Sequence, residues 1–190
     1  MNTKSPTVLT NLQRGNVKQD TPMLTHERSA HELAAQGELH DVEPSSVEAT
    51  DDNNMTPLLW AAGYGQNSTV EFLLKSGANP NHKSNGGRTA LMFAASKGFC
   101  HVVRTLIIDG AYLDEVDETG SSALIYAAHQ GRNLVIQELL RNGADLSIVN
   151  AYGHTAYGIC LMKHMRSAQA TIEAHLISLL QGCNKAPRAR

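Results

Sequence analysis

The sequence has few of the residues that build disulfide frameworks, metal centres or membrane spans. Its three cysteines, Cys100, Cys160 and Cys183, are an odd number without a Cys-x-x-Cys pair, which is typical of a reducing compartment and argues against disulfides. The nine histidines are scattered and form no metalloprotease or zinc-finger spacing, so we expect no metal and no other cofactor. No apolar run of about 18 residues occurs, so we expect no membrane insertion.

Catalytic and targeting motifs are missing as well. The sequence lacks the Gly-x-Ser-x-Gly elbow, the P-loop and the dinucleotide-binding fingerprint, and it therefore predicts a protein that is not an enzyme. Its first residues lack the apolar segment of a secretory signal, so we expect residence in the cytosol or the nucleus.

Positive charge is scarce in most of the chain. Residues 29–181 contain 9 Lys and Arg against 16 Asp and Glu, a net charge of -7, whereas residues 1–28 and 182–190 carry +2 and +3. Because affinity for DNA depends largely on basic groups that displace counterions, we expect no direct nucleic-acid binding by this acidic part. We interpret residues 1–28 as disordered. The basic tail, residues 182–190, is either a disordered solubilising end or a weak nuclear signal or phosphate contact.

What the sequence does contain is a repeat of 33 residues. Each unit begins with a residue that can cap a helix: Thr56, Thr89, Ser122 and Thr155. Alanine pairs follow at the same place in three units and allow helices to approach closely, and apolar pairs mark a second helix. We expect the first helix of these units to end at Gly65, Gly98 and Gly131. A single unit could not bury its apolar face, so the units must stack.

These residues resemble the ankyrin consensus over about residues 29–181. The resemblance implies an all-α ankyrin-repeat solenoid of about five stacked helix-turn-helix repeats with β-turn fingers. We place the repeats at 29–50 (a truncated cap), 51–83, 84–116, 117–149 and 150–181 (the C-terminal cap). We expect Gly182 to end the last helix. Asn54 and His164 occupy positions where the repeat has glycine, and asparagine tolerates the left-handed backbone.

Four strings narrow the resemblance: HELAAQGEL, TPLLWAAGYGQ, SALIYAA and RSAQATIEAHLISLLQ, at residues 31–39, 56–66, 122–128 and 166–181. They resemble the subfamily formed by ankyrin repeat family A and the regulatory-factor-X-associated ankyrin protein. Its members hold an extended peptide of the Pro-x-Leu-Pro-x-Ile/Leu type (PxLPx[IL]) along the inner helices. Their targets include class IIa histone deacetylases, regulatory-factor-X proteins and the tail of a large endocytic receptor.

The resemblance implies a monomeric adaptor of the nucleus and cytoplasm that acts in transcriptional regulation. The alternative is a constitutive subunit of a DNA-bound regulatory-factor-X complex that does not itself contact DNA. The two readings are hard to separate by sequence, because the same groove would serve both. A stable subunit would need a second large interface.

A row of large apolar residues recurs at one position of the repeat: Trp60, Phe93, Tyr126 and Ile159. Either the row lines a peptide groove or it packs the core between helices. Aromatic rows suit extended peptides that contain proline and leucine, and the polar tips of Trp and Tyr favour a wet surface. The resemblance assigns peptide contacts to Trp60 and Tyr126, while Phe93 stands where the family usually has an aliphatic residue.

We expect further peptide contacts from the rim of the same groove. Tyr64, Lys97 and His129 lie beside the inner-helix glycines, and Arg88 lies on a finger. Each is equally consistent with solvated surface. The family often has a tryptophan where this chain has Glu118, and the added acid favours basic residues beside the peptide motif.

Overall fold

The structure is a computed structural model that describes residues 29–39 and 44–183. The predictions for residues 1–28 and for residues 184–190 of the basic tail concern parts outside the described residues. Within the described part, helices alternate between an inner and an outer layer, as the 33-residue repeat predicts. An isolated antiparallel β-bridge joins Val116 and Ser122 in one finger.

The inner layer contains the helix that opens each unit. These helices are α1 (Ala30–Gln36), α3 (Pro57–Tyr64), α5 (Ala90–Lys97), α7 (Ala123–His129) and α9 (Ala156–Met162). The outer helices are α2 (Pro44–Val47), α4 (Asn67–Lys75), α6 (Cys100–Ile108), α8 (Asn133–Arg141) and α10 (Arg166–Cys183). Each inner helix packs against the next inner helix, and each outer helix from α4 onward packs against the next outer helix. The all-α solenoid is confirmed.

The predicted helix caps form in every full unit. The side chains of Thr56, Thr89, Ser122 and Thr155 each accept a hydrogen bond from the backbone N–H three residues later. The first unit has no such residue in register. There Ser29 caps α1 by a capping box: its hydroxyl oxygen accepts the backbone N–H of Glu32, and its own backbone N–H donates to the Glu32 carboxylate.

The core lies between the layers and is built from small residues facing larger aliphatic ones. The alanine pairs of α3, α5 and α7 are completely buried, which lets consecutive inner helices approach closely. Leu58, Leu91 and Leu124 from the inner helices and Leu73 and Leu106 from the outer helices fill the space beside them. Burial of this continuous apolar strip across repeats stabilises the stack.

The fingers are the turns that connect an outer helix to the next inner helix, and they are bonded to one another. The backbone N–H of Asn85 donates to Asn53 O (3.0 Å), that of Glu118 to Gly86 O (3.3 Å), and that of Ala151 to Thr119 O (2.8 Å). We call the surface formed by the five inner helices and these fingers the inner-helix face. The bonds fix the spacing of residues along it.

Some helix ends differ from the predictions. Gly65 and Gly98 cap α3 and α5 as expected, but α7 ends at His129 with Gln130 as its cap, and Gly131 follows with a left-handed φ of 63°. The expectation for Gly182 is wrong: its backbone stays helical and α10 continues to Cys183. A glycine ends a helix only where its backbone turns left-handed. Two other residues adopt the left-handed backbone where the repeat has glycine, both with φ of 56°: Asn54 in a finger and His164 after α9.

Candidate functional site

One residue from each of four consecutive inner helices forms a ladder along the inner-helix face. Its members are Trp60, Phe93, Tyr126 and Ile159, each four residues after the cap of its helix. The three aromatic rings are half-buried, whereas Ile159 is fully buried. The rings contact the core from one side and keep part of their surface accessible from the other.

A carboxylate holds the first ring of the ladder. The indole Nε1–H of Trp60 donates to Asp51 Oδ2 at 3.0 Å. The other oxygen, Asp51 Oδ1, accepts the backbone N–H groups of Asn53 and Met55, each at 2.9 Å, and so closes the finger turn. Burial alone would raise the pKa of Asp51, but these three hydrogen bonds and the charge of His31 lower it below its usual value.

The third ring is held in the same way. The hydroxyl of Tyr126 donates to Asp117 Oδ2 at 2.5 Å, while Asp117 Oδ1 accepts from the backbone N–H groups of Thr119 and Ser121. Burial opposes ionisation of Asp117, yet the hydrogen bonds from Tyr126, Thr119 and Ser121 lower its pKa. Burial and the bond to Asp117 raise the pKa of Tyr126, so its phenol remains a hydrogen-bond donor.

The other two rungs have no such tether, and the sequence shows why. Asp51 and Asp117 each stand nine residues before an aromatic residue with a polar tip. Ser84 and Asn150 stand at the same position before Phe93 and Ile159. The side chains of Phe93 and Ile159 have no polar atom that could form such a bond. Both still close their turns: Ser84 Oγ accepts from Arg88 N, and Asn150 Oδ1 accepts from the backbone N–H groups at 152 and 154. Neither aspartate was predicted as part of the site, although their shared position in the 33-residue repeat was a signal that could have identified them.

Arg88 connects the second and third rungs. Its guanidinium carbon lies 5.2 Å from the centre of the Phe93 ring and 4.5 Å from that of the Tyr126 ring. Its Nε donates to the Tyr126 hydroxyl oxygen at 2.9 Å. The Tyr126 hydroxyl thus accepts from Arg88 and donates to Asp117. These two bonds fix the position of the guanidinium relative to the Tyr126 ring. The sequence predicted Arg88 on a finger but not this stacking.

Tyr64 and Lys97 line the first part of the face. The Tyr64 ring stacks on Trp60 with 5.8 Å between ring centres and 13° between planes, and 59% of its side chain is exposed. Lys97 is exposed and borders, with these two rings and Phe93, an apolar cavity between α3 and α5. The stack makes a flat aromatic platform whose outer face is open to solvent.

His129 lies farther along, between α7 and α9. It is exposed, and Lys163 Nζ lies 3.2 Å from its Nδ1 and donates to its backbone oxygen at 3.1 Å. Burial and the nearby Lys163 charge lower the pKa of His129. His129 shares a cavity with Tyr126 and Ile159. The predicted site residues therefore lie in three places along the face. The first cavity has Trp60, Tyr64, Phe93 and Lys97 at its border. Arg88 lies over the rings of Phe93 and Tyr126, and His129 lies beside Tyr126 at the second cavity.

The described part of the chain offers neither a metal-binding cluster nor a membrane-spanning helix. Residues 29–39 and 44–183 contain no group of three or more His, Cys, Asp or Glu side chains that could hold a metal ion. None of their helices has the length and apolarity needed to cross a bilayer. Cys100 and Cys160 are free thiols, and burial raises the pKa of Cys160.

Two family models match most of the chain. Residues 29–117 match the model described as ankyrin repeats (3 copies), and residues 119–151 match the model described as ankyrin repeat.

Curated relatives match a shorter part. Over 82 residues the chain is 46% identical to Ankyrin repeat family A protein 2 of Mus musculus, covering 40% of this chain and 26% of that protein. It is 42% identical over 83 residues to DNA-binding protein RFXANK of Homo sapiens, covering 40% of this chain and 32% of that protein. It is 37% identical over 93 residues to DNA-binding protein RFXANK of Mus musculus, covering 40% of this chain and 35% of that protein. The chain spans about a quarter to a third of the length of these relatives.

Proposed function

The chain belongs to the ankyrin repeat proteins, and we propose that it is a non-enzymatic adaptor that binds PxLPx[IL]-like peptides on its inner-helix face. Ankyrin stacks serve protein–protein interaction through extended surfaces of this kind. The observation that carries the proposal is the ladder, in which Asp51 and Asp117 hold Trp60 and Tyr126 by their polar tips.

The tethers favour binding because they restrict the rings before a ligand arrives. A ring already held in one rotamer loses little conformational entropy on binding, so more of the contact energy remains as affinity. Extended proline-containing peptides are also partly ordered in advance and present apolar surface to aromatic grooves. The Trp60–Tyr64 platform and the cavity beside Phe93 offer such a surface.

The proposed partners follow from the resemblance. They are class IIa histone deacetylases or regulatory-factor-X-type proteins, bound by a monomer in the nucleus and cytoplasm during transcriptional regulation. Similarity to Ankyrin repeat family A protein 2 and to DNA-binding protein RFXANK supports this proposal. The acidic body of the chain, with a net charge of -7 over residues 29–181, supports a role without direct contact to nucleic acid.

The second candidate is a constitutive subunit of a DNA-bound regulatory-factor-X complex, which the similarity to RFXANK favours. Co-purification from nuclear extract separates the two. A constitutive subunit stays in one complex of fixed composition through size-exclusion chromatography, whereas a transient adaptor dissociates from its partners on dilution.

Fluorescence polarisation with a labelled Pro-x-Leu-Pro-x-Leu peptide tests the proposal. We expect saturable binding to the wild-type protein. In Trp60→Ala the binding free energy should weaken by about 2–4 kcal/mol, because a large aromatic anchor is lost.

Tyr112→Ala is the matched control. It removes an aromatic side chain that is 62% exposed in the turn after α6 and lies off the ladder. We expect its affinity to equal that of the wild type, with circular dichroism showing that all three proteins are folded. Equal losses in both variants, or no binding by folded wild type, would refute the proposal.

A further inference from the structure

Two apolar cavities lie at different places along the inner-helix face. The first, between α3 and α5, is bordered by Trp60, Tyr64 and Phe93. The second, between α7 and α9, has a volume of about 390 Å³ and is bordered by Tyr126, Ile159 and Met162. Tyr126 and His129, two of the predicted site residues, line the second cavity on the α7 side, whereas Met162 and Lys163 on the α9 side have no role in the proposal so far.

Arg88 lies between the two cavities. Its guanidinium spans the rings of Phe93 and Tyr126, one on either side of the junction between α5 and α7. Only its Nε has a hydrogen bond within the described part of the chain, to the Tyr126 hydroxyl, and no carboxylate there forms an ion pair with it. The two terminal nitrogens of a guanidinium form a fork that suits a carboxylate.

Two lysines also lie beside this stretch of the face, in a molecule whose body is acidic. Lys97 borders the first cavity and Lys163 borders the second, in a body whose net charge is -7. The nearest ladder carboxylate, Asp117, already accepts bonds from Tyr126 and from its own finger turn. A ligand that crosses from one cavity to the other therefore passes Arg88 and the two lysines, and the exposed Glu118 stands on the adjoining finger.

We propose, on the basis of the proposed function, that the ligand is longer than the six-residue motif. It places a Glu or Asp side chain opposite Arg88 and a second apolar side chain in the cavity between α7 and α9. Packed helices lie about 8–10 Å apart and an extended peptide advances about 3.1 Å per residue, so one repeat corresponds to roughly three ligand residues. The acid thus lies about three residues, and the second apolar anchor about six, from the side chain in the first cavity.

Fluorescence polarisation with extended peptides tests this. One peptide extends the core motif at its C-terminus with Glu three residues and Leu six residues beyond the last leucine, and another carries the mirrored extension at its N-terminus. We expect one of them to bind the wild-type protein about tenfold more tightly than the core. Replacing its Glu by Gln reduces affinity about fivefold, the size of a favourable exposed ion pair.

Variants of the protein show whether the gain in affinity comes from Arg88 and from the cavity between α7 and α9. In Arg88→Gln the Glu and Gln peptides bind equally, and Met162→Ala removes the gain contributed by the distal Leu. Lys75→Gln, which removes an exposed charge from the end of α4, leaves the fivefold difference unchanged. Should Arg88→Gln fail to fold by circular dichroism, salt provides a second measurement. The Glu-to-Gln difference on wild type must then disappear at about 1 M salt, where the Debye length is about 3 Å.

The outcomes separate this inference from the proposed function. If the core peptide binds but neither extension strengthens binding, or if Gln binds as well as Glu, the longer ligand is refuted and the adaptor proposal stands. If folded wild type binds no peptide, both fail.

Discussion

At the scale of single residues, Asp51 and Asp117 each use one oxygen to close a finger turn and the other to hold an aromatic tip. Only a carboxylate offers two acceptors for these two tasks. The chain itself follows this rule, because Ser84 and Asn150 stand at the same position where the facing residue, Phe93 or Ile159, needs no partner.

Asp51→Asn tests the tether. The Asn oxygen must stay on the two backbone N–H groups, so its amide N–H₂ faces the Trp60 Nε1–H, and tryptophan has no acceptor to offer. We expect a loss of about 1 kcal/mol in the free energy of unfolding. Trp60 is the single tryptophan, so its emission reports this site alone and shifts to longer wavelength as the indole N–H turns to water.

Asp52→Asn is the control, since the indole N–H of Trp60 bonds to Asp51 and not to this exposed neighbour, whose backbone oxygen accepts from Asn85. Its stability and emission should match the wild type. Unchanged emission in Asp51→Asn would mean that the Trp60 ring is positioned by packing and not by the carboxylate.

Acid should release the second tether. The pKa of Asp117 lies below its usual 3.8, and such a group stabilises the fold fully above the unfolded value and loses this effect as pH falls through the folded-state pKa. We expect wild type to be more stable than Asp117→Asn at pH 7 and the gap to narrow below about pH 4. Urea unfolding followed by circular dichroism measures it. A gap that stays constant down to pH 3 contradicts a role for the charge.

At the scale of elements, the fingers determine where the ladder residues stand. Gly87 shows how tightly they are fitted: its φ is 73°, and a Cβ there would lie 3.1 Å from Glu118 N and 3.2 Å from Asp117 Cα in the next finger. Only glycine combines this backbone conformation with such close approach. Because Gly87 precedes Arg88, the same contact positions the cation over Phe93 and Tyr126.

Gly87→Ala should therefore destabilise the protein by about 1–2 kcal/mol, from the left-handed backbone alone, with a further cost from the contact. Gly86→Ala is a close control, because its Cβ would meet nothing within 4 Å and its φ is not in the left-handed range. Chemical denaturation compares them. Equal stability of the two variants would show that the fingers separate easily and do not fix the spacing of the ladder.

The sequence predicted what depends on local pattern. Helix caps such as Thr56 and Thr89 and left-handed positions such as Asn54 recur in register, so their conformations follow from spacing. It missed the Asp51–Trp60 and Asp117–Tyr126 bonds, because these need a finger folded back on its own helix. It also could not predict the direction of a long side chain such as Arg88, which is decided by the rings around it.

At the scale of the whole molecule, consecutive inner helices form one row and consecutive outer helices from α4 onward form another, so the described part of the stack presents two different faces. The outer helices carry ion pairs such as Arg104 with Glu138 (2.9 Å), whereas the inner-helix face carries the ladder. We expect a ligand to bind to the inner-helix face and to leave the outer helices untouched.

Heteronuclear NMR of isotope-labelled protein titrated with the unlabelled Pro-x-Leu-Pro-x-Leu peptide tests this claim most directly. We expect chemical-shift changes at the Trp60 indole N–H and at the backbone amides of Tyr64, Phe93 and Tyr126, with amides of α4, α6 and α8 unchanged. Shifts confined to the outer helices, or a Trp60 indole signal that does not move at saturation, would contradict it.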